Sequence, residues 1–152
     1  MIKPDRSYSV SIILPILNEI NSLKKTIKIL NRIKVKKEYL VIYSKKLTNK
    51  LVKNELKKLK KKNKNLNYYP QSRPFVGGAI DSGIKYTKNK FIVIMASDLE
   101  TNPYELKSMI KKSQKNPNFI ISADRWISKK GFSDYGLIKY LANFFFQKLI
   151  KF

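Results

Sequence analysis

Five short runs of apolar, β-branched and aromatic residues punctuate the chain: Tyr8–Leu17, Tyr39–Ser44, Leu66–Tyr69, Phe91–Ala96 and Phe119–Ala123. Their apolar character is nearly continuous rather than alternating, which predicts strands covered on both faces. Between them the period changes to that of a helix. Leu23, Ile27 and Leu30 share one face after Asn18 or Asn21 as N-cap, and Val52, Leu56 and Leu59 do the same within Leu51–Asn65. A third helix is predicted over Ala79–Tyr86. A fourth, over Tyr104–Lys115, is announced by Asn102 as N-cap, Pro103 at the first helical position and Glu105 as capping glutamate. Strands alternating with helices imply an α/β fold, an open, mostly parallel sheet with helices on both faces. Such sheets bind ligands beyond the carboxyl ends of their strands.

Those strand ends are where the chemistry gathers. The first strand runs into Pro15, Leu17, Asn18 and Glu19, and the fourth into Ala96-Ser97-Asp98-Leu99-Glu100. Arg73 and the pair Gly77-Gly78 follow the third strand and precede a helix whose free N–H groups suit a phosphate. The fifth ends in Asp124, Arg125 and Trp126. Carboxylates for an ion, an arginine and a helix N-terminus for phosphate oxygens, and a ring for stacking together suit a metal-chelated diphosphate. Each residue also has a plain structural explanation. Gly77-Gly78 serves as a helix-start turn, Asp98 as a capping or turn residue, Glu19 as a first-turn acid favoured by the helix dipole, and Trp126 as a rim aromatic. The order of the set along successive strand ends is what those explanations leave out.

Composition narrows the chemistry. The 152 residues are 43% hydrophobic, enough for one domain with a core. There is no Cys and no His, so disulfides, thiol nucleophiles, Cys-ligated zinc and imidazole bases are excluded. A bound metal must take oxygen ligands, as Mg²⁺, Mn²⁺ or Ca²⁺ do. No signal-peptide core is visible in "MIKPDRSYSV" and no run reaches the roughly 18 apolar residues of a membrane span, so a cytoplasmic protein is the default expectation. The net charge of +23 invites a nucleic-acid partner. Yet the basic residues are 29 Lys and 4 Arg, and base readout leans on Arg. The densest run, Leu51–Asn65, reads as the wet face of an amphipathic helix, and nucleic acid is not the expected partner.

The stretches "SIILPILNE", "VGGAIDSGIKYTKNKFIVIMASDLETNP" and "IISADRWISKKGFSDYG" resemble the family 2 glycosyltransferases of the Rossmann-like GT-A fold, nearest to the dolichol-phosphate mannose synthase-like branch. The resemblance covers nearly the whole chain and implies sugar transfer from a nucleotide diphosphate donor, with Mg²⁺ or Mn²⁺ bridging the diphosphate. It implies donor-nucleotide positions at Pro15, Leu17 and Glu19, a loop glycine at Gly77 and a diphosphate-binding arginine at Arg125. Ser44 and Ser97 complete the expected nucleotide-sugar set, and Trp126 is the expected acceptor-rim residue. Asp98 falls on the second aspartate of the family's Asp-x-Asp metal motif and Glu100 on the further metal-contacting position. The acceptor implied is a polyprenyl-phosphate or a glycan, as in the building of cell-envelope glycans.

The chain also departs from the family pattern. Ala96 replaces the first acid of Asp-x-Asp, and the second strand ends in Tyr43-Ser44-Lys45-Lys46 with no acid. Phe75 stands where a first loop glycine is usual, and Asp81 where a basic residue is. Family domains run past this length, so the expectation is a single nucleotide-sugar-binding domain over residues 1–152 without the later acceptor part, either a C-terminally truncated fragment of a longer enzyme or a reduced donor-binding domain. Asp134 is the candidate base, on acidity and proximity alone. A lipid phosphate acceptor needs no protein base. In "YGLIKYLANFFFQKLIKF", Lys139, Asn143, Gln147 and Lys151 form a narrow polar stripe on an otherwise apolar helix. Such a helix is buried, paired with another chain, or laid into a membrane interface. Cover by residues beyond Phe152 is the commonest explanation for Phe144, Phe145 and Phe146, and contact with the inner face of the membrane the sharper one. The alternative functions are a non-catalytic nucleotide- or polyanion-binding module and a basic nucleic-acid-binding protein.

Overall fold

The computed structural model describes residues 8–99, 101–123, 141–142, 144–146 and 149. The chain forms two compact units, Met1–Ile110 and Lys111–Phe152. In the first, strands β1 (Ser9–Ile16), β2 (Lys36–Tyr43), β3 (Leu66–Pro70) and β4 (Phe91–Ile94) make one parallel sheet in the order β3-β2-β1-β4. Helices α1 (Ile20–Asn31), α2 (Lys50–Lys62) and α3 (Phe75–Lys85) alternate with the strands. A 3-10 turn, Pro103–Glu105, leads into α4 (Leu106–Lys115).

The twofold alternation of side chains along a strand divides the core into two layers. Val10, Ile12, Leu14 and Ile16 of β1, with Tyr39 and Val41 of β2, meet Leu23, Ile27 and Leu30 of α1, Val52 and Leu56 of α2, and Leu106. On the other face Ile13, Leu40 and Ile42 meet Ala79 of α3. Burying each such side chain contributes about 1.5–3 kcal/mol, so β1 and β2 secure the sheet from both sides. Gly83 lets α3 lie close to β1, since a Cβ there would stand 2.5 Å from Ile13 Cγ2.

Polar groups secure the helix ends. Lys37 Nζ donates to the Leu30 carbonyl (2.9 Å) and to that of Ile33, placing a cation where the dipole of α1 is negative. Burial lowers the pKa of this lysine from its ordinary value. The Tyr39 hydroxyl donates to Asn31 Oδ1 (2.8 Å), and burial raises its pKa well above the usual. Asn49 caps α2, its Oδ1 accepting from the Val52 N–H (2.8 Å). Lys57, Lys58, Lys61 and Lys62 of α2 are exposed, as the amphipathic pattern required.

Several expectations are corrected. No strand forms over Phe119–Ala123: a turn closes with the Phe119 N–H on the Asn116 carbonyl (3.2 Å), and Phe119 and Ile120 are exposed. An apolar β-branched run becomes a strand only where a neighbour supplies the ladder, and propensity alone does not create one. Helix α3 begins at Phe75 rather than Ala79, so Gly77 and Gly78 lie in its first turn. The N-cap of α1 is Glu19, neither Asn18 nor Asn21. The Glu105 carboxylate accepts from Ser108 Oγ (3.1 Å), while Asn102 does the capping through the Tyr104 N–H. In the second unit residues 141–142, 144–146 and 149 are helical.

Three predictions follow from this packing. A Cβ on Gly78 would lie 2.3 Å from the Arg73 carbonyl oxygen, whereas one on Gly77 meets nothing within 4 Å. Gly78→Ala should therefore lower stability by about 1–3 kcal/mol in urea titration, the usual cost of overpacking. Gly77→Ala should leave it level or raise it by up to about 1 kcal/mol. Thr26 is buried on α1, and its hydroxyl finds no hydrogen-bond partner among the described residues. Thr26→Val keeps the shape and should raise stability by about 1 kcal/mol in the same titration.

The third concerns Glu55, which links α1 to α2 by accepting from Lys24 Nζ (2.6 Å) and also accepts from Lys58 Nζ (2.7 Å). Those hydrogen bonds, with the charges behind them, hold its carboxyl down from 4.5 to about 2. A lowered folded pKa gives stability that is present above the unfolded value and lost as pH falls toward the folded one. Thermal melts should show wild type above Glu55→Gln at pH 7, with the gap closing between pH 4.5 and about 2.

Candidate functional site

A parallel sheet delivers the loops after β1, β2, β3 and β4 to the same edge. After β1, Leu17 and Glu19 are exposed. One carboxylate oxygen of Glu19 accepts from the N–H groups of Leu17 and Asn18, both at 3.0 Å. The acid thus folds back onto the loop before α1 and makes no side-chain cap to the helix. Asn18 Oδ1 accepts from the Asn49 N–H (3.0 Å), tying this loop to the start of α2.

The β2 loop is held from within. Ser44 is buried, its N–H donating to Thr48 Oγ1 and its Oγ accepting from the Leu47 N–H, each at 3.1 Å. Lys53 Nζ donates to the Lys45 carbonyl (2.8 Å) and stands 5.9 Å from the centre of the Tyr43 ring, which is tilted against Tyr68. Lys45 and Lys46 are exposed. No carboxylate of Tyr43–Lys46 offsets their charge at this end of the sheet.

β4 ends against β1. The Met95 N–H donates to the Ile13 carbonyl (3.1 Å), and the buried Ser97 donates through Oγ to the Pro15 carbonyl (2.6 Å). This clamp fixes the main chain from which Asp98 projects, exposed, at the edge. Leu99, the next residue, has φ 74. After β3, the Gln71 N–H donates to the Tyr43 carbonyl (2.8 Å), and Arg73 is exposed before α3. Phe75 opens that helix with φ 61. A non-glycine residue in the left-handed region costs on the order of 1–3 kcal/mol, and here two such residues follow β3 and β4 at the carboxyl edge of the sheet.

Pro15, Leu17, Glu19, Ser44, Gly77, Ser97 and Asp98 therefore lie at or beside one edge of one sheet, with Pro15 and Ser97 in direct contact. Glu100, Arg125, Trp126 and Asp134 lie outside the described residues. Sequence reasoning missed the Ser97–Pro15 clamp and the Asn18–Asn49 tie, which join residues far apart in the chain. It singled out Gly77, whereas close packing demands Gly78; two adjacent glycines look alike until the Arg73 carbonyl is placed against one of them. The positive φ of Phe75 had one signal, the family glycine that it replaces.

With no His or Cys in the chain, and with no group of three acidic side chains among the described residues, those described residues form no all-protein metal cage at the edge. An exposed single carboxylate fits a hard ion that keeps phosphate oxygens and water as its other ligands, which is how Mg²⁺ is commonly held.

The family model for glycosyl transferase family 2 matches residues 11–152. Among solved structures, the chain is similar to the mannosyltransferase PcManGT from Pyrobaculum calidifontis, in complex with GDP-Man and Mn²⁺. The TM-score is 0.60 at 18% identity over 73% of this chain. The match spans 34% of the length of that protein. No curated protein matches the sequence. Likeness at this identity is a likeness of fold, and it agrees with the open parallel sheet of the GT-A type. The family match begins in β1, takes in every strand end described above and continues to Phe152. On that match, this chain is a member of glycosyl transferase family 2.

Proposed function

We propose that the carboxyl edge of this sheet binds a nucleoside-diphosphate sugar, with Asp98 as the protein carboxylate at a Mg²⁺ or Mn²⁺ ion. The observation that carries the reading is the exposed Asp98 at the end of β4, clamped beside Pro15 of β1 by the Ser97 hydroxyl. When bound, such an ion stabilises the negative charge that grows on the departing nucleotide diphosphate. Glu19 shapes the β1 loop by gathering two N–H groups, so that Leu17 and Pro15 present a fixed surface to the nucleoside. Ser44 performs the same service for the β2 loop. Glu100 is assigned as a second oxygen ligand and Arg125 as a diphosphate contact, the roles that the family pattern implies. The mannosyltransferase of similar fold was solved with GDP-Man and Mn²⁺, which supports a nucleotide sugar and a divalent ion here.

The dolichol-phosphate mannose synthase-like branch remains our preferred placement, with a lipid-linked phosphate as acceptor. The attacking oxygen is then already anionic, and no general base is required of the chain. Leu141, Phe145, Phe146 and Leu149 are exposed apolar residues on the last helix, suited to lying on a membrane surface where such an acceptor resides. Among the described residues no helix is long and apolar enough to cross a membrane.

Calorimetric titration of nucleotide sugars, with Mn²⁺ and with chelator, tests the assignment. Asp98→Asn keeps size and removes charge. Affinity in Mn²⁺ should fall by at least about tenfold, the lower bound for losing even an outer partner of a metal ligand. The melting temperature without ligand should barely move, since Asp98 is exposed. Equal affinity for wild type and variant, with or without Mn²⁺, would remove Asp98 from the metal.

A further inference from the structure

We infer that Phe75 is the aromatic platform on which the base of the nucleotide stacks, a reading that rests on the nucleotide-sugar function proposed above. Phe75 holds a left-handed backbone at φ 61 while its side chain is 83% exposed. A strained residue usually has its strain offset by what its side chain does in the fold. This ring buries little, so the fold recovers almost nothing from it. Val76 beside it is also exposed, and the space over Gly77 is open.

Among the described residues, other rings near this edge already have partners. Tyr43 lies against Tyr68 and under Lys53, and Tyr69 stacks on Tyr86 with centroids 3.8 Å apart. Tyr104 is exposed, but it follows β4 on the same side as Asp98. Phe75 follows β3, at the far end of the strand order β3-β2-β1-β4. Three strand intervals separate β3 from β4, a distance of about 14 Å. A nucleotide whose diphosphate is held at Asp98 and whose ribose lies over Pro15 and Leu17 at the end of β1, as proposed above, extends along that strand order toward the β3 loop. Arg73 stands two residues before the ring on that loop, and its cation favours the same anionic ligand. Stacking uses the flat face that every base possesses, so this contact supplies affinity more than discrimination between bases.

Isothermal titration of UDP, GDP and inorganic diphosphate, each in Mn²⁺, against wild type, Phe75→Gly, Phe75→Ala and Phe75→Trp tests the platform. UDP and GDP should bind about tenfold more weakly to the Gly and Ala variants, within the range for one base on one ring. Phe75→Trp should bind both as wild type does, and inorganic diphosphate should bind all four proteins alike. Phe75→Gly should melt no lower than wild type, because glycine accepts the left-handed backbone without strain. Unchanged UDP and GDP affinity in Phe75→Ala would overturn the inference and leave the proposed function standing. So would an equal loss for inorganic diphosphate, or a Phe75→Gly melting point lower by several degrees. A wild-type chain that binds neither UDP nor GDP would overturn the proposed function and this inference with it.

Discussion

β1 pairs with β2 from Ser9↔Lys36 to Ile16↔Tyr43 and with β4 from Val10↔Phe91 to Ile13↔Ile94, always in parallel. That one hydrogen-bonded direction decides where every loop after a strand can emerge. It requires each strand to return by a crossover, and α1, α2 and α3 are those crossovers. Their apolar faces then bury β1 and β2 from both sides. If β1 ran the other way, Pro15 and Glu19 would leave from the edge opposite Asp98, and no common site would exist.

The edge itself is shaped by hydrogen bonds that spend polar groups on geometry. Ser97 gives its proton to Pro15, Glu19 collects two N–H groups of its own loop, and Asn18 reaches across to Asn49. Each bond holds backbone that would otherwise reorder when a ligand arrives. Pre-ordering of this kind lowers the entropy that binding must overcome. Phe75 and Leu99 show the opposite side of that economy, since both adopt backbone that an L side chain disfavours. Strain of this sort persists where surrounding structure holds it, and here the surrounding structure is the carboxyl edge.

Charge acts mainly as scaffold and solvation. Lys57, Lys58, Lys61 and Lys62 stand in water on the outer face of α2, a helix whose inner face is Val52 and Leu56. Two of the basic groups close on Glu55 and so bind α1 to α2. At the edge the balance differs: Lys45, Lys46 and Arg73 are exposed there, with Asp98 as an exposed acid and Glu19 turned onto its own loop. The proposed diphosphate with a divalent ion carries both signs of charge.

Hydrophobic period was enough to read the fold class, four strands and their order of alternation with helices, because burial on two faces leaves a nearly continuous apolar run. The same reading placed Asp98, Gly77, Pro15 and Glu19 at strand ends. It failed at Phe119–Ala123, whose composition is that of a strand, because a strand exists only through a partner's ladder and the sequence holds no record of partners. It began α3 four residues late, because Phe75 opens a helix from a left-handed backbone that no propensity predicts. Asn18 looked like a cap and is a tie between loops. Ser97, placed at the strand end by the sequence, also proves to be a clamp on Pro15. In both cases the partner is distant in the chain, 31 residues away for Asn49 and 82 for Pro15. Local pattern thus determined which segments fold and which residue types reach the edge. Only the packed sheet decided which neighbour each polar group would meet, because that depends on contacts between strands and loops that sequence spacing does not encode.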